Sequence, residues 1–190
     1  MKGSVKLIFQ PAEEGHAGAV KMIEDGVLEN PTVDFIYGIH LWSYSPVGTL
    51  GVSDGPIMAA SDRFTIDVQG KGGHGAAPQG TVDAIVEAAS LVTSLQTIVS
   101  RNKAPLESGV ITCGTIKGGF GYNIIADNVQ ICGTCRSFTP EVQELMKTRM
   151  NEVCCGVAAT FGGQIDMKYE YGYPPTVNAY PEEGKLVQNA

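Results

Sequence analysis

Arg63-Phe64-Thr65-Ile66-Asp67-Val68-Gln69 alternates polar and apolar side chains at every step, the pattern of a strand with one face on a core and the other toward water. Residues 81–101 follow with Val82, Ile85, Ala89, Val92, Leu95 and Val99 three and four positions apart, which predicts an amphipathic helix with its apolar stripe on one side. Residues 109–116 and 128–138 read as two strands joined through the glycine-rich Lys117-Gly118-Gly119-Phe120-Gly121. Thr139-Pro140-Glu141 supplies a cap and a first-turn proline, and a second helix runs on through Val142, Leu145, Met146, Val153 and Val157 toward Phe161-Gly162-Gly163. Residues 164–171 close the series as a strand. The order β-α-β-β-α-β over residues 63–171 specifies a ferredoxin-like split βαβ, a four-stranded antiparallel sheet with both helices on one face. The other sheet face is left bare, and partner sheets or subunits commonly cover such faces.

Upstream the texture differs. Residues 4–10 read as a strand, residues 18–26 as a short helix closed by Gly26, and residues 34–41 and 49–52 as two further strands. Strand, helix and strand at this spacing predict a βαβ unit with a parallel sheet. Ser53-Asp54-Gly55-Pro56 marks a boundary between this part and the alternating strand beyond it. The fold class is therefore α/β in the first part, joined to an α+β ferredoxin-like domain.

A formal net charge of -7 offers no basic stripe for phosphates and argues against a nucleic-acid partner. No apolar run approaches the roughly 20 residues that span a bilayer, and Met1-Lys2-Gly3-Ser4 lacks the apolar core of a signal peptide. No membrane association and a cytoplasmic location are the expectations. Five cysteines, an odd number that includes the vicinal Cys154-Cys155, fit reduced thiols better than disulfides. Cys132-Gly133-Thr134-Cys135 matches C-x-x-C, but a second such pair for zinc and a helix N-terminus for redox chemistry are both missing, so core packing is favoured over a redox role.

The chemistry begins at Glu13-Glu14, which ends the apolar run Val5-Lys6-Leu7-Ile8-Phe9-Gln10-Pro11-Ala12. Adjacent carboxylates at a strand end offer one group to hold a metal and one to move a proton. Taken by itself the pair also suits a solvated turn or the acidic first turn of a helix. His40 ends the strand Gly38-Ile39-His40-Leu41, and at the carboxyl end of a parallel strand it points into the crevice where such sheets bind ligands. Glu14 ends the neighbouring strand, so Glu14 and His40 could share one metal. His74 lies in the glycine-rich turn Gly72-Gly73-His74-Gly75-Ala76-Ala77-Pro78.

Gln10-Pro11-Ala12-Glu13-Glu14-Gly15, Gly38-Ile39-His40-Leu41-Trp42, Gly72-Gly73-His74-Gly75-Ala76-Ala77-Pro78 and Tyr171-Gly172-Tyr173-Pro174-Pro175-Thr176-Val177-Asn178, in this order, resemble the M20 metallopeptidase family. The branch they resemble holds the amidohydrolases of N-acyl amino acids, hippurate and indoleacetyl-amino acid conjugates. The resemblance implies a catalytic α/β domain interrupted by a ferredoxin-like lid that also dimerises. Residues 1–56 would be part of the catalytic domain, residues 57–168 the lid, and residues 169–190 an incomplete return into the catalytic domain.

By the same resemblance Glu13 is the general base that activates water and Glu14 is a metal ligand, with His40 a second ligand. Two divalent metals per complete site are implied, zinc, manganese or cobalt. His74 would reach the partner subunit's active site to stabilise the oxyanion or hold substrate. Asn123 and Arg136 match lid positions that contact an N-acyl amino acid or short peptide, and a guanidinium suits its free carboxylate. His16 takes no role. The partners implied are a small-molecule substrate and a second copy, as a homodimer through the lid.

The family's centre uses further ligands, a cysteine and histidine before the glutamates and a last histidine after the lid. No cysteine precedes Cys113 and no histidine follows His74. The expectation is a fragment that is inactive alone, with a non-catalytic dimerisation module as the alternative.

Overall fold

The computed structural model describes residues 3–13 and 18–178 and divides the chain into two compact units, residues 1–51 and 52–190. In the first, the helix α1 (Gly18–Glu24) begins against Pro11, whose carbonyl a Cβ on Gly18 would strike. It ends at Gly26, where a positive φ of 81° lets Gly26 and Val27 donate back to Ile23 and Met22. Lys6 Nζ donates to the carbonyl of Val27 at 2.7 Å and ties the N-terminal stretch to the chain after the helix.

The strands expected at residues 4–10, 34–41 and 49–52 are not formed among the described residues. Val5, Leu7 and Phe9 stay exposed, as do Ile39 and Leu41. The physical reason is that β-branched and aromatic content fits a strand to a sheet but does not supply one; without a neighbour to take its N–H and C=O groups, an extended run forms no ladder.

The second unit opens with β1 (Gly55–Met58) and β2 (Ala60–Gln69), followed by β3 (Gly73–His74), α2 (Ala84–Thr97), β4 (Gly109–Gly118) and β5 (Ile124–Ile125). It closes with β6 (Asn128–Ser137), α3 (Pro140–Phe161), β7 (Gln164–Tyr173) and β8 (Thr176–Asn178). The main sheet has the order β4-β6-β2-β7, with every pairing antiparallel. That is the ferredoxin-like arrangement expected from residues 63–171. β1 pairs β8 in a separate ribbon, and β3 pairs β5 in another.

Inward positions of β2 and β6 pack under both helices, with Phe64, Ile66, Val68, Val129 and Ile131 meeting Leu91, Leu95, Met146 and Met150. The outward positions Arg63, Thr65, Asp67, Gln130 and Thr134 are polar, so the open face is largely polar, with Val110 an exposed apolar side chain on it at the edge strand β4. Asp83 caps α2 by accepting from Ile85 and Val86, and Thr139 caps α3 by accepting from Val142. Gly162 ends α3 with φ of 84°.

The buried stripe of α2 differs from the one predicted. Ala84, Ala88, Leu91 and Leu95 face the core together with Glu87, and Ile98 continues the line into a π-helical turn over Ile98–Asn102. Ile85 and Ala89 point outward instead. Two apolar rows run side by side on this helix, and the one with alanines at its start seats the backbone closer to the sheet. The outward row borders a shallow groove of about 320 Å³ lined by Ala89, Val92, Cys113, Gly114, Thr115 and Ile116, along the edge strand β4.

Candidate active site

Ala12, immediately before Glu13, holds a φ of 54°. A non-glycine residue in the left-handed region costs about 1 kcal/mol, and such outliers cluster at functional turns. This turn takes the chain out of its extended run and leaves Glu13 exposed to solvent. Glu14 and His16 lie outside the described residues.

His40 is exposed and lies in extended chain rather than at the end of a strand. Its Nδ1 bonds the carbonyl oxygen of Leu41 at 2.7 Å. The carbonyl can only accept, so in the neutral ring Nδ1 carries the proton and Nε2 keeps the lone pair, the form a metal ligand needs. Trp42 packs edge-on against the His40 ring, with centroids 5.5 Å apart. Among the described residues no group of three or more His, Cys, Asp or Glu side chains is gathered around one point.

His74 and Asn123 are brought together. His74 pairs with Ile124 across β3 and β5, and Gly75 N–H donates to the carbonyl of Asn123 at 2.8 Å. The approach is possible because the turn is built of glycine: Cβ atoms on Gly72 and Gly75 would press on the carbonyl oxygens of Ile125 and Asn123 at 3.0 and 3.1 Å. The Nδ1 atom of His74 accepts from Ala76 N–H at 3.1 Å, so the neutral ring is protonated at Nε2 and offers a donor outward. Both side chains are exposed.

Arg136 stands elsewhere. It projects from the open face of β6, half-buried, and donates through Nη1 to the hydroxyl of Tyr173 at 3.1 Å. Asn128, the first residue of β6, adjoins the Asn123 turn, and Arg136 lies eight residues on. At about 3.4 Å per residue the two ends of the strand are roughly 27 Å apart. One small ligand therefore cannot touch His74, Asn123 and Arg136 of the same chain.

Cys132 and Cys135 sit on opposite faces of β6, three residues apart on a two-residue repeat. Cys135 is buried with its sulfur 3.6 Å from that of Met150, while Cys132 is half-buried near Thr65 and Gln130. Burial pushes the Cys135 thiol up to about 12, which is opposite to what redox chemistry needs. All five cysteines are free.

A carboxylate that the sequence pattern did not single out lies under the sheet. Asp62 is buried and accepts from Gln143 Nε2 at 2.8 Å, Tyr169 OH at 2.7 Å and Gly172 N–H at 3.0 Å. Its signal is an acidic residue at an inward position of an alternating strand, one step before the stretch that reads most clearly. Among the described residues no helix is long and apolar enough to cross a membrane.

Known proteins share this sequence and fold. A model of peptidase family M20/M25/M40 matches residues 1–190. The chain is 45% identical over 178 residues to an N-acetyl-L-cysteine deacetylase of Bacillus subtilis, covering 94% of this chain and 42% of that protein. It is 39% identical over 179 residues to an N-acyl-L-amino acid amidohydrolase of Geobacillus stearothermophilus, covering 94% of this chain and 48% of the relative. A crystal structure from Bacillus subtilis, described as a dinuclear metal-binding peptidase from the M20 family, superposes with a TM-score of 0.72 at 32% identity, over 95% of this chain and 46% of that one. The chain thus spans less than half the length of these relatives.

Proposed function

Because the chain belongs to peptidase family M20/M25/M40, we propose that it carries part of a metal-dependent amidohydrolase site that cleaves the amide bond of N-acyl amino acids. The observation that carries this reading is the juxtaposition of His74 and Asn123 on the β3–β5 ribbon, where Gly75 bonds the Asn123 carbonyl, two exposed donors held by a glycine-built turn. The relatives named for N-acetyl and N-acyl amino acids support the substrate class.

Glu14 and His40 would hold a divalent metal, zinc, manganese or cobalt, and His40 is already in the tautomer that suits it. When bound, the metal supplies polarisation of the substrate carbonyl and acidification of water. Glu13 takes the proton from the attacking water and returns it to the leaving amine. His74 donates from Nε2 to the oxygen on which negative charge develops, with Asn123 beside it. Arg136 grips the free carboxylate of the substrate with paired donors. Since the two ends of β6 are roughly 27 Å apart, His74 and Asn123 serve one substrate molecule and Arg136 another. That division is met by a homodimer in which each lid reaches the partner's site.

Hydrolysis of hippurate and of an N-acetyl amino acid, with manganese or zinc added, tests the reading in wild type and Glu13→Ala. Metal-dependent turnover lost in the variant supports it. Zinc titration by calorimetry tests the ligand set, with binding weaker than micromolar expected of this chain. Zinc binding that is unchanged by Glu14→Ala and by His40→Ala would overturn that ligand set.

A second reading, a non-catalytic dimerisation module, is favoured by the open edge of β4. Ile116 is exposed there in the groove under Ala89 and Val92, and Val110 is exposed farther along the strand on its other face. A stable dimer that is split by Val110→Lys and shows no turnover with either metal would support the module over the enzyme.

A further inference from the structure

Side chains on β7 alternate between the helix side and the open face, and Ile165, Met167, Tyr169 and Tyr171 fall on the helix side. Tyr169 bonds Asp62, and Tyr171 bonds Glu144 and Lys147 on α3. On that alternation Tyr173 would also face the helices. It does not, because the register shifts: Arg63 pairs with Glu170, yet Ser61 pairs with Tyr173. Asp62 alone stands opposite two residues, Tyr171 and Gly172, which is a β-bulge. The extra residue turns Tyr173 over to the open face.

Two features hold the bulge. The carboxylate of Asp62 accepts the N–H of Gly172 at 3.0 Å and is itself fixed by Gln143 on α3 and Tyr169 on β7. Gly172 lies so close to the carbonyl of Ser61 that a Cβ there would strike it, so only glycine fits. Tyr169 remains a donor to Asp62, because burial first, and then that hydrogen bond, push its phenol well above the usual tyrosine range.

The consequence appears in one row across the sheet. Arg136 pairs with Ser61, and Ser61 pairs with Tyr173. The small Ser61 between them lets the guanidinium pass over to the Tyr173 hydroxyl at 3.1 Å. An arginine offers five donors in a fixed plane, and engaging one of them sets the direction of the rest.

We propose that Asp62 and Tyr173 are positioning residues for Arg136: Asp62 locks the bulge that delivers Tyr173 to the open face, and Tyr173 orients the guanidinium toward a ligand carboxylate. The functional half of this inference rests on the reading of Arg136 as the carboxylate clamp. The positioning half does not, since it can be measured without a ligand.

The test is the arginine Nε–Hε spectrum of the full chain by NMR. Arg63, Arg101, Arg136 and Arg149 are the arginines present, and Arg136→Lys assigns the signal of interest. Tyr173→Phe and Asp62→Asn are each expected to move the Arg136 signal and to speed rotation of its guanidinium. Tyr171→Phe, on the same strand but on the helix side, is expected to leave that signal in place. If Asp62→Asn does not fold, Tyr169→Phe removes one of the three donors to Asp62 and must move the Arg136 signal in the same direction. An Arg136 signal unmoved by the Asp62 or Tyr169 variant, or moved equally by Tyr171→Phe, overturns the proposal. Hippurate is then titrated into wild type and Tyr173→Phe, with binding about fivefold weaker in the variant, the effect of one hydrogen bond. Hippurate that moves no Arg136 signal in wild type overturns the clamp while leaving the ligand-free result to decide the positioning.

Discussion

The backbone N–H of Ala76 points at Nδ1 of His74 across 3.1 Å, two residues along the same turn. A backbone amide can only donate, so this contact chooses the tautomer of the ring. The Nε2-protonated form is expected in the neutral state, and long-range 1H–15N spectra of the ring will show it as a bare Nδ1 and a protonated Nε2. His74 is exposed, so His74→Ala is expected to change stability by less than about 0.5 kcal/mol while removing the donor that the proposed chemistry needs. A ring protonated at Nδ1 would exclude the role given to Nε2.

Glu87 is buried on α2, and neither carboxyl oxygen has a hydrogen-bond partner among the described residues. Burial raises its proton affinity above the ordinary carboxylate value. Below that ordinary value both folded and unfolded chains carry the proton and the group is neutral in its effect. As pH rises, the unfolded chain releases its proton first, so the folded state loses stability until the raised value is passed. Glu87→Met removes both unpaired oxygens at similar length. It is expected to stabilise the protein by about 1–3 kcal/mol at pH 7 and to flatten that decline in urea midpoints measured across pH. A variant less stable than wild type at pH 7 would mean that the carboxyl has a partner.

Two glycines give opposite expectations. A Cβ on Gly133 would run into the carbonyl of Thr112 and the ring of Phe64, its partner across β2 and β6. The carbonyl belongs to a paired strand and cannot give way, so Gly133→Ala is expected to destabilise by about 3 kcal/mol. Gly156 lies inside α3, and a methyl group added there would meet nothing within 4 Å. Gly156→Ala is therefore expected to add about 0.5–1 kcal/mol through lower unfolded-state entropy. Urea unfolding of the two variants checks both signs.

Thiol reactivity should follow burial. Cys155 is exposed, whereas Cys135 and Cys154 are buried and pushed up to about 12 by loss of solvation. Alkylation by iodoacetamide at pH 8, read by mass spectrometry, is expected to mark Cys155 first. Cys135 and Cys154 should react only in denaturant. Early labelling of Cys135 would revive a redox role for the C-x-x-C pair.

The second unit is legible in the sequence because its signals are local. Alternation in residues 63–69, the Thr139-Pro140 cap and the Gly162 stop each act within a few positions, and their order leaves one sheet topology. The first unit is not, since its expected strands depend on partners that no local pattern names. On α2 the expected and the buried stripes differ by one residue because Ile85 and Ala89 look as apolar as Ala84 and Ala88; what separates them is proximity to the sheet. For the site, His74 and Asn123 can be picked from their glycine-rich turns. Their distance from Arg136 cannot, because it is set by where each falls along a paired strand. The bulge at Asp62 is equally hidden, as a count of one residue too many is visible only against the neighbouring strand.

The register of β6 against both β2 and β4 makes that strand a ruler with parity. Removing one residue between Asn128 and Arg136 would pass the guanidinium to the helix side, among Met146 and Met150, where a lone charge is strongly disfavoured. Removing two would keep Arg136 on its face but draw it about 7 Å closer to the His74 turn. The stride between the His74 turn and Arg136 can therefore change only in steps of two residues, and every such step resets the distance between the two groups that the proposed function assigns to substrate.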